Sequence, residues 1–307
     1  QSVSVLLARQ SPVCYHPQHE NKRRGRSRQG MITVIEPTKS FIKINWREIA
    51  EYRDLLFMLA KRDITVVYKQ TVLGPLWFLI QPIVTAVVFT VIFGHVAKIK
   101  TGGIPYFVFY MSGTVMWNYF AGVLNNSATS LIGSTHLLSK VYFPRLIVPF
   151  ASVVSNLAHL GLNTLILVVF CVYYYFAGGA ISPSPVLLAL PLVVFYTALV
   201  GLGFGLWVAA ATTKYRDLRF ALPFILQMWM YATPIVYPAS GVVKPAYRFI
   251  MWLNPMSVSV ELNRWMFTGV NNVEPMAILI GVASTALVLA SGLYLFNRVQ
   301  CNFVDTV

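Results

Sequence analysis

Few side chains in this sequence are equipped for chemistry, and most stand at the borders of long uncharged stretches. In "NPMSVSVELNRWMFTG", Glu261 and Arg264 are three residues apart, so a helix would place them on one face, within pairing distance. Lys61, Arg62 and Lys69 crowd the approach to the first uncharged stretch, and ammonium and guanidinium groups suit a phosphate or diphosphate. "TTKYRDLR" adds Arg216 and Asp217. His159 is a lone titratable group inside an apolar run, where a hydrogen-bonded core histidine is the simpler reading. Cys14, Cys171 and Cys301 form no CxxC or CxxH spacing, so neither a zinc site nor a disulfide framework is indicated. There is no GxxxxGK[ST], so the chain has no phosphate-cradling loop of its own, and no HExxH, DxD-like or Ser/His/Asp constellation. No catalytic residue, metal site or cofactor is expected in this chain.

Composition says what the elements around these residues must be. Of 307 residues, 57% are hydrophobic and 11% charged, with a mean hydropathy of +0.64; soluble domains carry about 25% charged residues. This is the composition of an integral membrane protein. The net charge of +14 would suit nucleic acid in a soluble protein, but in a membrane protein it reports orientation, and no nucleic-acid partner is expected. Residues 1–30 include "NKRRGRSRQG", with no apolar core after the charges, so they do not read as a secretory signal. They read as a disordered basic extension, with Met31 a candidate natural start and 31–45 a cytoplasmic segment.

A spanning helix needs about 20 apolar residues, and the uncharged intervals accommodate six: Leu73–Phe93, Ile104–Leu124, Leu146–Phe176, Val186–Ala211, Phe220–Tyr237 and Met276–Phe296. "AGGAISPSP" separates the third from the fourth. Nineteen Lys and Arg fall on the side of the termini and five on the other, which places both termini in the cytoplasm. Ahead of the first span, Ile49, Tyr52, Leu56 and Leu59 recur at helical spacing opposite Arg47, Glu51, Asp54 and Lys61. The segment 46–63 therefore reads as an amphipathic helix in the plane of the interface, its apolar side in lipid.

The connection 239–275 is too apolar for a solvated loop and too broken at Asn254-Pro255 for one span. Two short helices that dip into the outer leaflet and return would satisfy it, since such backbone is tolerated where protein or a polar cavity surrounds it. Glu261 and Arg264 lie on the second, either as an ion pair holding the loop or, with Asn254 and Pro255, as a polar element of an outer gate. Aromatic residues form stripes: Phe78 and Phe89 in the first span, Tyr106, Tyr110 and Trp117 in the second, Phe224 and Tyr231 in the fifth. Such stripes serve helix packing and the interfacial belt, or line a path wide enough for sugar rings, whose apolar faces stack on aromatics.

On the cytoplasmic side, 125–145 reads "NNSATSLIGSTHLLSKVYFPR", a basic and partly apolar connection with Ser127 as a candidate N-cap and Pro144 as a stop. With Leu131, His136, Leu138, Arg216 and Asp217 it offers a docking surface for a partner. A transporter whose spans lack buried carboxylates needs an energy source elsewhere.

Taken together, "VYKQTVLGPLW", "LLSKVYFPRLIVP", "KYRDLRFALPFILQ", "TPIVYP" and "LNPMSVSVELNRWMFTG" resemble the membrane subunits of ABC-2 type exporters that move polysaccharides, such as O-antigen, capsule and teichoic acid permeases. The resemblance covers about Trp46 to Arg298. It implies the type 2 ABC exporter fold: an all-α homodimer of six-span subunits in a bacterial cytoplasmic membrane, with a coupling helix between spans two and three and re-entrant gate helices between spans five and six. It also implies two copies of a separate ATPase subunit that carry the ATP and Mg, and a channel lined partly by aromatics. The expected cargo is a lipid-linked polysaccharide, foremost O-antigen, with capsule and teichoic acid as alternatives within the family. It would enter beside Lys61, Arg62 and Lys69. A passive channel or ion-coupled carrier is the alternative of a different class. A membrane glycosyltransferase is disfavoured by the missing acidic metal-binding motifs.

Overall fold

A computed structural model describes residues 15–17, 35–37, 46–69, 76–133, 143–178, 181–239 and 248–302. Two short strands, β1 (Tyr15–Pro17) and β2 (Ile35–Pro37), pair antiparallel; every other described element is helical. β1 falls within the basic N-terminal arm, and the rest of residues 1–30 lies outside the described residues.

Four helical stretches are long and apolar enough to cross a membrane: Leu79–Val96, Ile147–Phe176, Pro185–Lys214 and Pro275–Val299. The first is α3 (Leu76–Phe89) running into a wide π-helical turn at Thr90–Val96. The others are α6 (Ile147–Phe176), α7 (Leu190–Lys214, entered by a 3-10 turn at Pro185–Ala189) and α11 (Pro275–Asn302). Their exposed side chains are mostly apolar, among them Val84, Val91, Leu165, Val169, Leu192, Leu279 and Leu287. In a chain of this composition that surface belongs in hydrocarbon.

The helix expected as the second span is α4 (Tyr106–Ala128), the centre of the molecule, packed on α3, α6 and α7. Its small polar side chains turn back on the helix, with Ser112 and Thr114 donating to the Phe109 and Met111 carbonyls. It runs four residues beyond the expected end at Leu124, so Ser127 caps nothing: it is buried in the last turn. A four-residue helix, α5 (Ser130–Gly133), follows, and 134–142 lies outside the described residues.

Close approach of α4 and α7 depends on Gly201 and Gly205, four apart on one face of α7. A Cβ on Gly205 would stand 2.5 Å from Ser127 Cβ, and one on Gly201 3.0 Å from Val123 Cβ. This small-residue spacing lets two helix backbones meet where lipid supplies no hydrophobic drive to associate.

The segment 46–63 is two helices, α1 (Trp46–Glu51) and α2 (Arg53–Lys69), which turn at Tyr52. The apolar face of α2 does not meet lipid as expected. Leu59 and Ala60 are buried against Phe143, Ile147 and Ala151 at the start of α6, with Tyr52, Leu55 and Leu56 alongside. The uncovered apolar side chains are instead Phe57 and Met58, 61% and 66% exposed, with Val66 further along. Helical periodicity found the face; it could not see that the base of α6 was there to cover it.

The fifth expected span, Phe220–Tyr237, forms a helix only over α8 (Leu218–Ala232), 15 residues long. At about 1.5 Å per residue this falls short of a hydrocarbon core about 30 Å thick. Pro234 disfavours helical backbone at Thr233, which turns extended. Among the described residues, the following connection holds two helices, α9 (Arg248–Leu253) and α10 (Pro255–Thr268). Asn254 begins α10 by accepting the Met256 amide at 3.1 Å, with Pro255 in the first turn, and Gly269 ends it in the left-handed conformation, φ 77°.

Candidate functional site: the buried ion-pair clamp and the basic turns

The charged pair of α10 is deep in protein. Arg264 is 0% exposed and Glu261 5%. Arg264 Nη1 donates to Glu261 Oε1 at 2.8 Å, and Nη2 donates to the carbonyls of Pro234 and Ile235 at 2.9 and 3.3 Å. The guanidinium lies 3.7 Å from the centre of the Phe109 ring on α4. Glu261 Oε1 also accepts from the Ala239 amide, at 3.2 Å. One arginine thus gathers α10, the strap Thr233–Tyr237 and α4. The strap fits because position 113 is glycine: a Cβ there would meet Ile235 Cα at 3.3 Å and Arg264 Nη2 at 3.3 Å. Truncating one member of such a pair leaves an uncompensated buried charge, costing about 3–5 kcal/mol.

Asn254 and Pro255 lie at the other end of α10. Beyond capping, Asn254 accepts from Trp229 Nε1 at 3.2 Å and donates to Thr233 Oγ1 at 2.9 Å. Trp229 itself sits edge-on to Phe204, Phe120 and Trp117. The sequence analysis missed Trp229 and Phe109. An indole in an uncharged helix, with a donor that must be satisfied, was the available signal for the first.

The aromatic stripes divide. Phe89, Tyr110 and Trp117 are buried inside the subunit and are not path-lining in this conformation. Phe89 packs edge-on against Phe93 and Tyr110, and Trp117 against Trp229. Tyr110 and Trp117 face inward because α4 is surrounded, so every stripe on it meets a neighbouring helix, and Phe89 faces Tyr110 from α3. Tyr106 is half-buried beside the His95 ring, 5.6 Å away, and above Gly94. Phe224 and Tyr231 remain uncovered, with Phe220, Ile225 and Met228, on the outward face of α8. Phe78 lies on α3, but its side chain is outside the described residues.

Arg62 is already engaged by Asp63 through Nε and Nη2 at 3.0 and 2.8 Å, whereas Lys61 is exposed and has no such pair among the described residues. Lys69 ends α2, its side chain outside the described residues. Ser127 does not reach a surface: its hydroxyl meets that of Ser152 on α6 at 2.7 Å, so a direct role in partner docking is corrected to a helix-packing one. His136 and Leu138, and the side chain of Leu131, lie outside the described residues. Arg216 and Asp217 form the exposed turn between α7 and α8. Among the described residues no group of three or more His, Cys, Asp or Glu converges to hold a metal ion.

This arrangement has known relatives. The chain is 28% identical over 256 residues to the O-antigen export system permease protein RfbA of Klebsiella pneumoniae, covering 82% of this chain and 94% of the relative. RfbA of Myxococcus xanthus gives 28% over 255 residues, 82% of this chain and 95% of the relative. The polysialic acid transport protein KpsM of Escherichia coli gives 24% over 206 residues, 66% and 77%. Residues 54–268, from the first turn of α2 to the end of α10, match the ABC-2 type transporter family. That match spans α2 to α10, with the clamp and the α7–α8 turn, and the chain accordingly belongs to the ABC-2 type transporter family, as a membrane-embedded, multi-pass transport subunit.

Proposed function

We propose that this chain is the transmembrane permease of an ATP-driven exporter that carries a lipid-linked polysaccharide, foremost O-antigen, across the bacterial cytoplasmic membrane. The observation that carries this reading is the similarity to O-antigen export permeases along nearly their whole length. The permease works as a homodimer with two copies of a nucleotide-binding ATPase, which supply ATP and Mg. Each subunit contributes six spans: the four long apolar helices, α4, and α8 extended by its strap. Both termini are cytoplasmic, a placement that the Lys and Arg distribution supports. α1 and α2 lie at the cytoplasmic interface, and α9 and α10 re-enter from the outer side.

In this scheme ATP-driven closure of the partner subunits presses on the cytoplasmic connections, 125–145 and the Arg216–Asp217 turn. The exposed faces of α3 and α8 in the two subunits flank the path, with Phe224 and Tyr231 offering flat apolar surfaces to passing sugar rings. Lys61 and Lys69, with Arg62 once released from Asp63, meet the diphosphate of the lipid carrier at the entrance. Asn254, Pro255, Glu261 and Arg264 belong to the outer gate, where the ion pair keeps the gate helix in place.

Similarity to KpsM favours a capsule-type polysaccharide as the second reading. Deleting the gene from its host and scoring surface and cytoplasmic glycan tests both. Loss of surface O-antigen with lipid-linked glycan retained inside supports the first. Loss of capsule alone supports the second, and unchanged surface glycan of every class contradicts both.

A further inference from the structure

The outer end of α8 is fastened to α10 at two separate points. Asn254 ties to Trp229 and Thr233 at the start of α10, and Arg264 holds the carbonyls of Pro234 and Ile235 ten residues later. α10 is in turn fixed to the core: Asn263 Nδ2 donates to the Ser112 carbonyl of α4 at 2.7 Å, and Thr197 of α7 donates to Ser259 at 3.0 Å. The cytoplasmic half of α8 is different. Phe220, Phe224, Ile225 and Met228 are exposed, and Pro223 interrupts the hydrogen-bond ladder of its first turns. The helix is hydrogen-bonded to α10 at one end, whereas toward the other only Leu222 and Leu226 pack inward.

We infer that Asn254 is a positioning residue for transport: a single carboxamide that caps α10 and pins the last turn of α8 to it, so that α8 pivots about its outer end instead of sliding past α10. One amide serves both duties because Oδ1 accepts from Met256 N and Trp229 Nε1 together, while Nδ2 reaches Thr233 Oγ1. The consequence for transport rests on the exporter reading; the pin itself does not.

Capping and pinning are separable by substitution. Serine is as good an N-cap as asparagine, but its shorter side chain reaches neither Trp229 nor Thr233. The experiment compares N254S and N254A with the unsubstituted chain in the complete transporter, at equal membrane abundance. Export and ATP hydrolysis are measured, with the distance between spin labels at M228C and L253C, in a background lacking Cys14, Cys171 and Cys301. With two hydrogen bonds lost, N254S is expected to lower export about tenfold, with ATP hydrolysis retained and a broadened label distance, as in N254A. An N254S variant with unsubstituted export and an unsubstituted narrow distance, only N254A being impaired, overturns the inference, because capping then accounts for the residue. A broadened distance with full export overturns the role in transport. Should the unsubstituted complex move no glycan, the exporter reading fails separately, and the label distance alone decides the pin: broadening in N254S upholds it and an unchanged distance refutes it.

Discussion

Arg264 and Glu261 are joined at 2.8 Å, the arginine fully buried and the glutamate nearly so, and the same guanidinium holds two carbonyls of the strap after α8. Only three acidic residues lie between Asp63 and Asp305, namely Asp217, Glu261 and Glu274, and Glu261 is the one committed to this clamp. A buried pair is weak evidence for net stability, since its Coulomb gain is set against desolvation of both ions. Its effect is to hold the partners in one geometry.

The clamp makes a non-additive prediction. R264M alone leaves Glu261 buried and uncompensated and should cost about 3–5 kcal/mol. The double variant E261Q/R264M removes both charges and should cost less than R264M alone. Thermal unfolding of the detergent-solubilised protein checks this; a double variant as damaged as the sum of the two single ones contradicts it. R264K should not restore the wild type, because an ammonium cannot grip Glu261, stack on Phe109 and reach two carbonyls with one planar group.

Gly205 should tolerate no side chain. With Ser127 Cβ and the Leu124 carbonyl at 2.5 and 3.2 Å from its would-be Cβ, G205L forces α4 and α7 apart. Overpacking of this kind costs about 1–3 kcal/mol or more. Gly161, with nothing within 4 Å, is the control: G161A should match or slightly exceed wild-type stability, alanine being about 1 kcal/mol the better helix former. Equal melting temperatures for the two variants would refute the close approach.

The Ser127–Ser152 hydrogen bond joins α4 to α6. Interhelical bonds of this type contribute about 0.6 kcal/mol on average in double-mutant cycles. S127A should therefore cost under about 1 kcal/mol and leave ATPase coupling intact. A large coupling defect at wild-type stability would return Ser127 to the docking surface from which its burial removes it.

Arg216 and Asp217 carry the opposite expectation. Their turn is exposed, so R216E should leave stability within about 0.5 kcal/mol while weakening association with the ATPase subunit. Co-purification yield at matched abundance measures it, and an unchanged yield would remove this turn from the docking surface.

Much of this architecture was legible in the sequence because bilayer thickness is a ruler: charge-free intervals and breaker clusters marked the long helices within a few residues. The break at Asn254-Pro255 and the i, i+3 spacing of Glu261 and Arg264 located α10 and its pair. The signal failed where a face is covered by something remote in sequence. Helical periodicity along α2 and α4 marks apolar faces, but whether Leu59 meets lipid or Ile147, or Tyr110 meets a path or Phe89, depends on which helix lies alongside. Strap carbonyls that accept from Arg264 are likewise invisible in sequence, since any residue supplies a carbonyl.

The account stands or falls on whether this subunit works with a nucleotide-driven partner. The direct measurement is gentle extraction from native membranes, identification of the co-purifying chains, and assay of ATP hydrolysis by the isolate. Two copies of this chain with two copies of a Walker-type ATPase, and hydrolysis that depends on both, is the predicted result. Recovery of the chain without any ATPase, even after mild crosslinking in the native membrane, would contradict the exporter and point to a channel or ion-coupled carrier.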